Sequence, residues 1–208
     1  MMKFMKKLIF LIFLFPLFKA SCVPPDEALK RLIDGNIRYK NNKLIHPNRG
    51  FEVRQKQVEI QDPFAIILGC SDSRVPPEII FDQGLGDLFI VRVAGNILGN
   101  TELESLKFSI KYLNSSLVVV LGHQNCGAIK AVISGKSEEF ESISKYLKPV
   151  CDQAKGSASL ATLLNVKQTV RKLKESPYLM NIIQDKKIQI VGAVYDLETG
   201  SVTIIEQD

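Results

Sequence analysis

Tryptophan is absent from this chain of 208 residues, histidine occurs only at His46 and His123, and cysteine only at Cys22, Cys70, Cys126 and Cys151. Thiol or imidazole chemistry is therefore confined to a handful of positions. No internal repeat or low-complexity tract is present, which excludes solenoid, propeller and collagen-like architectures. The one long apolar run, around Leu8–Phe15, spans about ten residues, too short for a comfortable transmembrane helix. A real excess of charge is also missing. The formal net charge of +5 comes from 27 basic and 22 acidic residues, but positions 1–20 hold four lysines and no acid. Without that stretch 23 basic residues face 22 acidic ones, a net +1, so the basicity argues for neither nucleic acid nor an anionic surface as partner.

What is present begins with a leader. Lys3, Lys6 and Lys7 precede the apolar run, and Lys19, Ala20, Ser21 and Cys22 follow it. A positive segment, a short apolar core and small residues after it make a secretory signal. Residues 1–22 are expected to be removed, leaving one periplasmic domain, 23–208, that no longer holds a membrane segment. Two alternatives are an uncleaved anchor and a lipid on Cys22. Against the lipid, Lys19 stands where a lipoprotein signal wants an apolar residue.

Short apolar runs at 64–69, 88–93, 117–122 and 188–195 read as buried strands. Val202–Ile205, after the turn at Glu198, Thr199 and Gly200, reads as an edge hairpin. Between them lie helical patterns. Leu29, Leu32, Ile33 and Ile37 form a stripe on an N-terminal helical arm starting near Pro25. Val53 to Ile60 is amphipathic, Leu103, Leu106, Ile110 and Leu113 share a face, and 137–183 is helical, with Leu160, Leu163, Leu164, Val170 and Leu173 as core positions. Strand, helix, strand in this order predicts an α/β fold with a mainly parallel sheet of about four to five strands flanked by helices.

Two of the predicted strands end in chemistry. The first runs into Cys70-Ser71-Asp72-Ser73-Arg74, the third into His123-Gln124-Asn125-Cys126. In an open α/β sheet such ends face the crevice where ligands bind. Two thiols and one imidazole are zinc ligand types, and three protein ligands leave a fourth position open, as in catalytic rather than structural zinc sites. A disulfide between Cys70 and Cys126 is the alternative in an oxidising compartment, but it would leave His123, Asp72 and Arg74 without a shared purpose. A phosphatase-type thiolate loop would need its arginine six places after the cysteine, where Pro76 stands. Cys151 reads as an isolated thiol, His46 as a loop residue beside Pro47, and Ser71 and Ser73 as turn formers.

The paired motif resembles the β-class carbonic anhydrases, and the resemblance extends from about Pro25 to the C-terminus, through the segments 62–82 and 87–96. It implies the fold of that family and a zinc lyase, with one Zn2+ per subunit held by Cys70, His123 and Cys126, that converts carbon dioxide to bicarbonate through hydroxide on the metal. A neutral Cys2His zinc centre acidifies water less than a three-histidine one, so neighbours must help. Asp72 is placed to accept the hydrogen of the attacking group, and Arg74 to hold Asp72 bidentately. If Asp72 lets go of Arg74 it can become the fourth ligand, a closed form that low pH favours. Gln61 matches a glutamine that donates a hydrogen bond to substrate, the alternative being a polar helix-end residue. The resemblance also implies a homodimer or homotetramer with the N-terminal helix packed across the partner; a helix lying on its own sheet is the alternative. Two departures stand out. A pocket tyrosine of some members falls at Phe108, with Tyr112 one turn on, and the tryptophan of bicarbonate-regulated members falls at Ile67. Two other functions share these residues: hydrolysis of carbon disulfide or carbonyl sulfide, and a non-catalytic zinc module, for which Arg74 would have no use.

Overall fold

The computed structural model describes residues 23–185 and 187–206, so the predicted leader and Cys22 lie outside the described residues. Five strands, β1 Ala65–Gly69, β2 Leu88–Arg92, β3 Leu117–His123, β4 Gln189–Tyr195 and β5 Val202–Glu206, form one sheet in the order β2-β1-β3-β4-β5. The pairs β1–β2, β1–β3 and β3–β4 are parallel, and β5 closes one edge antiparallel to β4. Every apolar run read as a strand is one. The reason is visible in β1 and β3, which are buried at every position and so carry no alternation of polar residues.

Successive side chains of these strands feed two cores, one on each face. Ile66, Leu68, Val118, Val120 and Ile190 pack with Leu106 and Ile110 of α4 (Asn100–Tyr112), Val166 and Val170 of α7 (Ala158–Lys174), and Leu179 of α8 (Pro177–Gln184). Ala65, Ile67, Val119, Leu121 and Val191 face the other way, towards Ala28, Leu29 and Leu32 of α1 (Pro25–Lys40), Ile129 of α5 (Gly127–Ile133) and Leu147 of α6 (Glu141–Gln153). The short helices α2 (Phe51–Lys56) and α3 (Pro77–Ile80) complete the set. No helix among the described residues is long and apolar enough to cross a membrane.

Helix α1 starts with Pro25 in its first turn, followed by Asp26 and Glu27, and ends on Arg38 and Lys40, each favourable at its end of the helix dipole. It lies on its own sheet, with Asn36 donating to the carbonyls of Ile80 and Gly200 and accepting from the amide of Val202. Ile33 and Ile37, from the same predicted stripe, remain exposed.

Two helical expectations need correction. The stretch Val53 to Ile60 is not one helix: α2 ends at Lys56, and Val58 and Ile60 are exposed. With no apolar face buried, so short a segment lacks the packing that sustains a helix. On α7 the buried stripe is Ala161, Thr162, Asn165, Val166, Thr169, Val170 and Leu173, while Leu160 points outward. The stripe is set by close approach to the sheet. A Cβ added at Gly122 of β3 would stand 2.6 Å from Val166, and one at Gly192 of β4 would stand 2.9 Å from it.

Candidate metal centre

The sheet order reverses at β1 and β3: the chain leaves β1 for β2 on one side, then returns to place β3 on the other. This is the position where an open sheet offers a crevice. Gly69 is in register with Leu121, so the residues just past β1 lie beside the end of β3. Cys70, His123 and Cys126 meet there, with their ligand atoms all within 4.8 Å of one another. Their exposures are 5%, 1% and 1%. The cysteines Cys70, Cys126 and Cys151 are free thiols. Cys151 is buried between helices, away from the cluster, with its thiol facing the carbonyl of Ile129.

The histidine is oriented by the backbone. His123 Nδ1 lies 2.8 Å from the carbonyl oxygen of Gln124, which can only accept, so the proton sits on Nδ1. Nε2 therefore carries a lone pair, and it is buried without a hydrogen-bond partner. A buried nitrogen left unpaired is costly unless something binds it. Two sulfurs and this nitrogen make a donor set that suits zinc.

The thiols are electrically coupled. A hydrogen bond shared with Cys126 pulls the pKa of Cys70 down, aided by the backbone amides of Asp72 and Gly95, and pushes that of Cys126 up. One thiolate forms readily and the second proton is held by the pair. The Gly95 amide donates to Cys70 Sγ at 3.3 Å. Gly95 has φ +72, in the left-handed region that glycine adopts without strain. Its carbonyl in turn accepts from Asn165 Nδ2 at 2.8 Å, which ties the turn after β2 to the buried side of α7.

Asp72 and Arg74 form the outer wall. Arg74 Nε and Nη2 donate to the two carboxylate oxygens at 2.9 and 2.7 Å, and the Arg74 amide adds a bond of 3.0 Å. The Arg74 side chain, more than any other group, holds the Asp72 carboxyl well below the usual carboxylate range. Asp72 Oδ2 also stands 3.9 Å from His123 Nε2, so the carboxylate faces His123 while held by Arg74. Arg74 Nη2 reaches the Asn125 carbonyl at 3.3 Å and so joins the two loops.

The remaining predicted residues are not part of this cluster. Gln61 is exposed and precedes β1, whereas the cluster follows it, one strand length or about 17 Å away along the sheet. His46 sits in a loop, its amide bonded to Asp82. Phe108 and Tyr112 meet at a tilt in the open on α4, and Ile67 is wholly buried in the core. Arg92 and Asn165 are not marked by any motif at the site. For Arg92 a signal existed: it is the one charged residue in the otherwise apolar run 88–93.

Known proteins resemble this chain in sequence and fold. A family model described as carbonic anhydrase matches residues 65–202. A carbonic anhydrase of Mycolicibacterium smegmatis is 36% identical over 192 residues, covering 86% of this chain and 93% of that one. Among solved structures, the β-carbonic anhydrase of Coccomyxa superposes with a TM-score of 0.66 at 25% identity, covering 91% of this chain and 88% of that chain. One of two tetrameric β-carbonic anhydrases from Sordaria macrospora gives 0.64 at 18% identity, covering 86% and 97%.

Proposed function

Since the chain belongs to the β-class carbonic anhydrases, lyases that interconvert carbon dioxide and bicarbonate, we propose that Cys70, His123 and Cys126 hold one zinc ion per subunit, with Asp72 and Arg74 directing the hydration. The observation that carries this is the buried, unpartnered Nε2 of His123, facing two thiols and a carboxylate. Zinc held there would supply Lewis acidity that lowers the pKa of bound water, with the neighbouring residues helping.

The chain's own groups supply direction. An ionised carboxylate only accepts hydrogen bonds, so Asp72 holds the hydrogen of the attacking group and leaves its lone pair free for the carbon of carbon dioxide. Arg74 keeps that carboxylate ionised and fixed by two parallel bonds. Released from Arg74, Asp72 would need little movement to become a fourth ligand, since Oδ2 already lies 3.9 Å from His123 Nε2. The pair is thus both aiming device and gate, and a purely structural site would need neither role.

Assembly as a homodimer or homotetramer accounts for the exposed Ile33, Ile37, Phe108 and Tyr112. It would also give Gln61 its role, because that residue can touch substrate only from a second copy. Export with removal of residues 1–22 completes the reading. The deciding experiment is zinc analysis together with stopped-flow carbon dioxide hydration on the purified, leader-free protein. One zinc per chain and a rate that rises from about pH 6.5 to 9 are expected; protein that holds zinc yet leaves the uncatalysed rate unchanged at pH 9 would mark a non-catalytic zinc module.

A further inference from the structure

Arg92 ends β2, in register with Gly69, the residue before Cys70. Among the described residues its guanidinium is paired with no carboxylate. It donates instead to two backbone carbonyls, Nε to Cys70 O at 2.8 Å and Nη2 to Asp72 O at 2.6 Å. Both acceptors lie past the end of β1, where the sheet ladder no longer holds the chain. We propose that Arg92 is a positioning residue that fixes the Cys70–Arg74 loop against β2 and so sets where Asp72 stands relative to the metal ligands.

The other bonds of this loop show why the role falls to Arg92. The Val75 amide donates to Asp72 O and the Arg74 amide to Asp72 Oδ1, and both bonds travel with the loop if it pivots. Ties to the rest of the molecule are fewer. Gly95 holds the sulfur of Cys70, and Arg74 reaches the Asn125 carbonyl at 3.3 Å. Neither fixes the backbone of Asp72. Arg92 does, and its planar fork spans two carbonyls at once, which a single ammonium cannot do in the same geometry. Losing it leaves the local turn intact but frees the loop to move Asp72 towards or away from the ligand set. Groups that orient metal ligands from outside typically change metal affinity or activity by about 10- to 100-fold when removed.

This inference rests on the proposed zinc site, and its test is chosen to fail separately from that function. Zinc-loaded wild type, Arg92→Leu, Arg92→Gln and Arg92→Lys are each mixed with a chromogenic chelator, and the rate of zinc release is read without any carbon dioxide. Melting temperature and the kcat for hydration per bound zinc are measured on the same samples. Zinc release about 10- to 100-fold faster in the leucine and glutamine proteins is expected, with kcat reduced over a similar range and lysine in between. Because Arg92 is exposed, the melting temperature of the zinc-free proteins should hardly change. Release and kcat at wild-type values in Arg92→Leu would overturn the proposal. So would a lowered melting temperature with release and kcat intact, which marks a merely structural residue. Should Arg92→Leu fail to fold, Arg92→Gln, which also cannot span both carbonyls, decides by the same criteria. If wild type binds zinc but hydrates nothing, the function falls and the release rates still judge Arg92.

Discussion

The two loops that build the site differ in kind. The loop after β3 supplies His123 and Cys126, both almost wholly buried, and runs straight into α5. Its orienting contact is a backbone carbonyl, that of Gln124 on His123 Nδ1. The loop after β1 buries Cys70 and Val75 but leaves its charged residues at the surface. Asp72 and Arg74, with side chains 16% and 52% exposed, lie at the rim, held by charged groups on each other and on Arg92. One half is set by packing, the other by charged hydrogen bonds. A gate belongs in the second kind, because its contacts can be exchanged without disturbing the core.

The most drastic way to break this division is to remove a ligand from the packed half. Cys126→Ser should lose its zinc and fall to the uncatalysed hydration rate, as should Cys70→Ser, since three ligands leave none to spare. Metal analysis after dialysis reads this directly, and full zinc with full activity in either variant would remove the assignment.

Next in size is damage confined to the charged half. Asp72→Ala and Arg74→Ala should keep zinc but lose on the order of a hundredfold in rate, the usual consequence of removing a positioned partner of the attacking group. The pH behaviour separates their roles. Because the pKa of Asp72 is depressed in the fold, its pairing with Arg74 is present above the unfolded value of about 4 and is lost only as pH falls through the lower folded value. The pair is therefore intact across the assay range, and the rise in wild-type rate from about pH 6.5 to 9 reports formation of the nucleophile. Substitutions that leave the rate unchanged would strip both residues of these roles without touching the zinc enzyme.

A smaller effect is expected from tightening the packed half. Gly122→Ala places a methyl group 2.6 Å from Val166, just before His123. Overpacking of this kind costs about 1–3 kcal/mol. Chemical denaturation should show that loss while zinc per folded chain stays the same. An unchanged midpoint would mean that α7 yields, and that the loop after β3 is less firmly packed than its burial implies.

These differences bear on what could be read from residues alone. The five strands were legible because each is a short apolar run between breakers, and the cluster of Cys70, His123 and Cys126 because each lies in a contiguous motif at a strand end. What escaped was whatever depends on residues far apart in sequence. Arg92 and Asp72 are twenty positions apart, and Asn165 meets Gly95 across seventy. No local pattern records such pairings. Leu160 misled for a related reason: helical spacing shows that a stripe exists, but only the close approach of Val166 to Gly122 and Gly192 decides which stripe faces the sheet. Gln61 precedes β1 while the cluster follows it, so a motif match within one chain does not place it.

The finest test of the comparison is Gln124, which belongs to the packed half yet carries a polar side chain. That side chain donates to Asp196 Oδ2 at 3.1 Å, on the loop after β4, while its backbone carbonyl orients His123. If the loop is fixed by packing and backbone, the amide group is dispensable for chemistry. Gln124→Ala removes one solvent-screened hydrogen bond to a carboxylate at a half-exposed site, a small loss in stability. The carbonyl stays where it was, because the Gln124 amide still donates to the Tyr195 carbonyl at 3.0 Å and β3 still pairs with β4 up to His123 and Tyr195. Zinc content and kcat should then remain within about twofold of wild type, against the hundredfold expected at Asp72. A tenfold fall in kcat, or a faster zinc release than in wild type, would show that the orientation of His123 depends on a side-chain contact after all. The two loops would then be held in the same way, and the division between a packed half and a charged half would not stand.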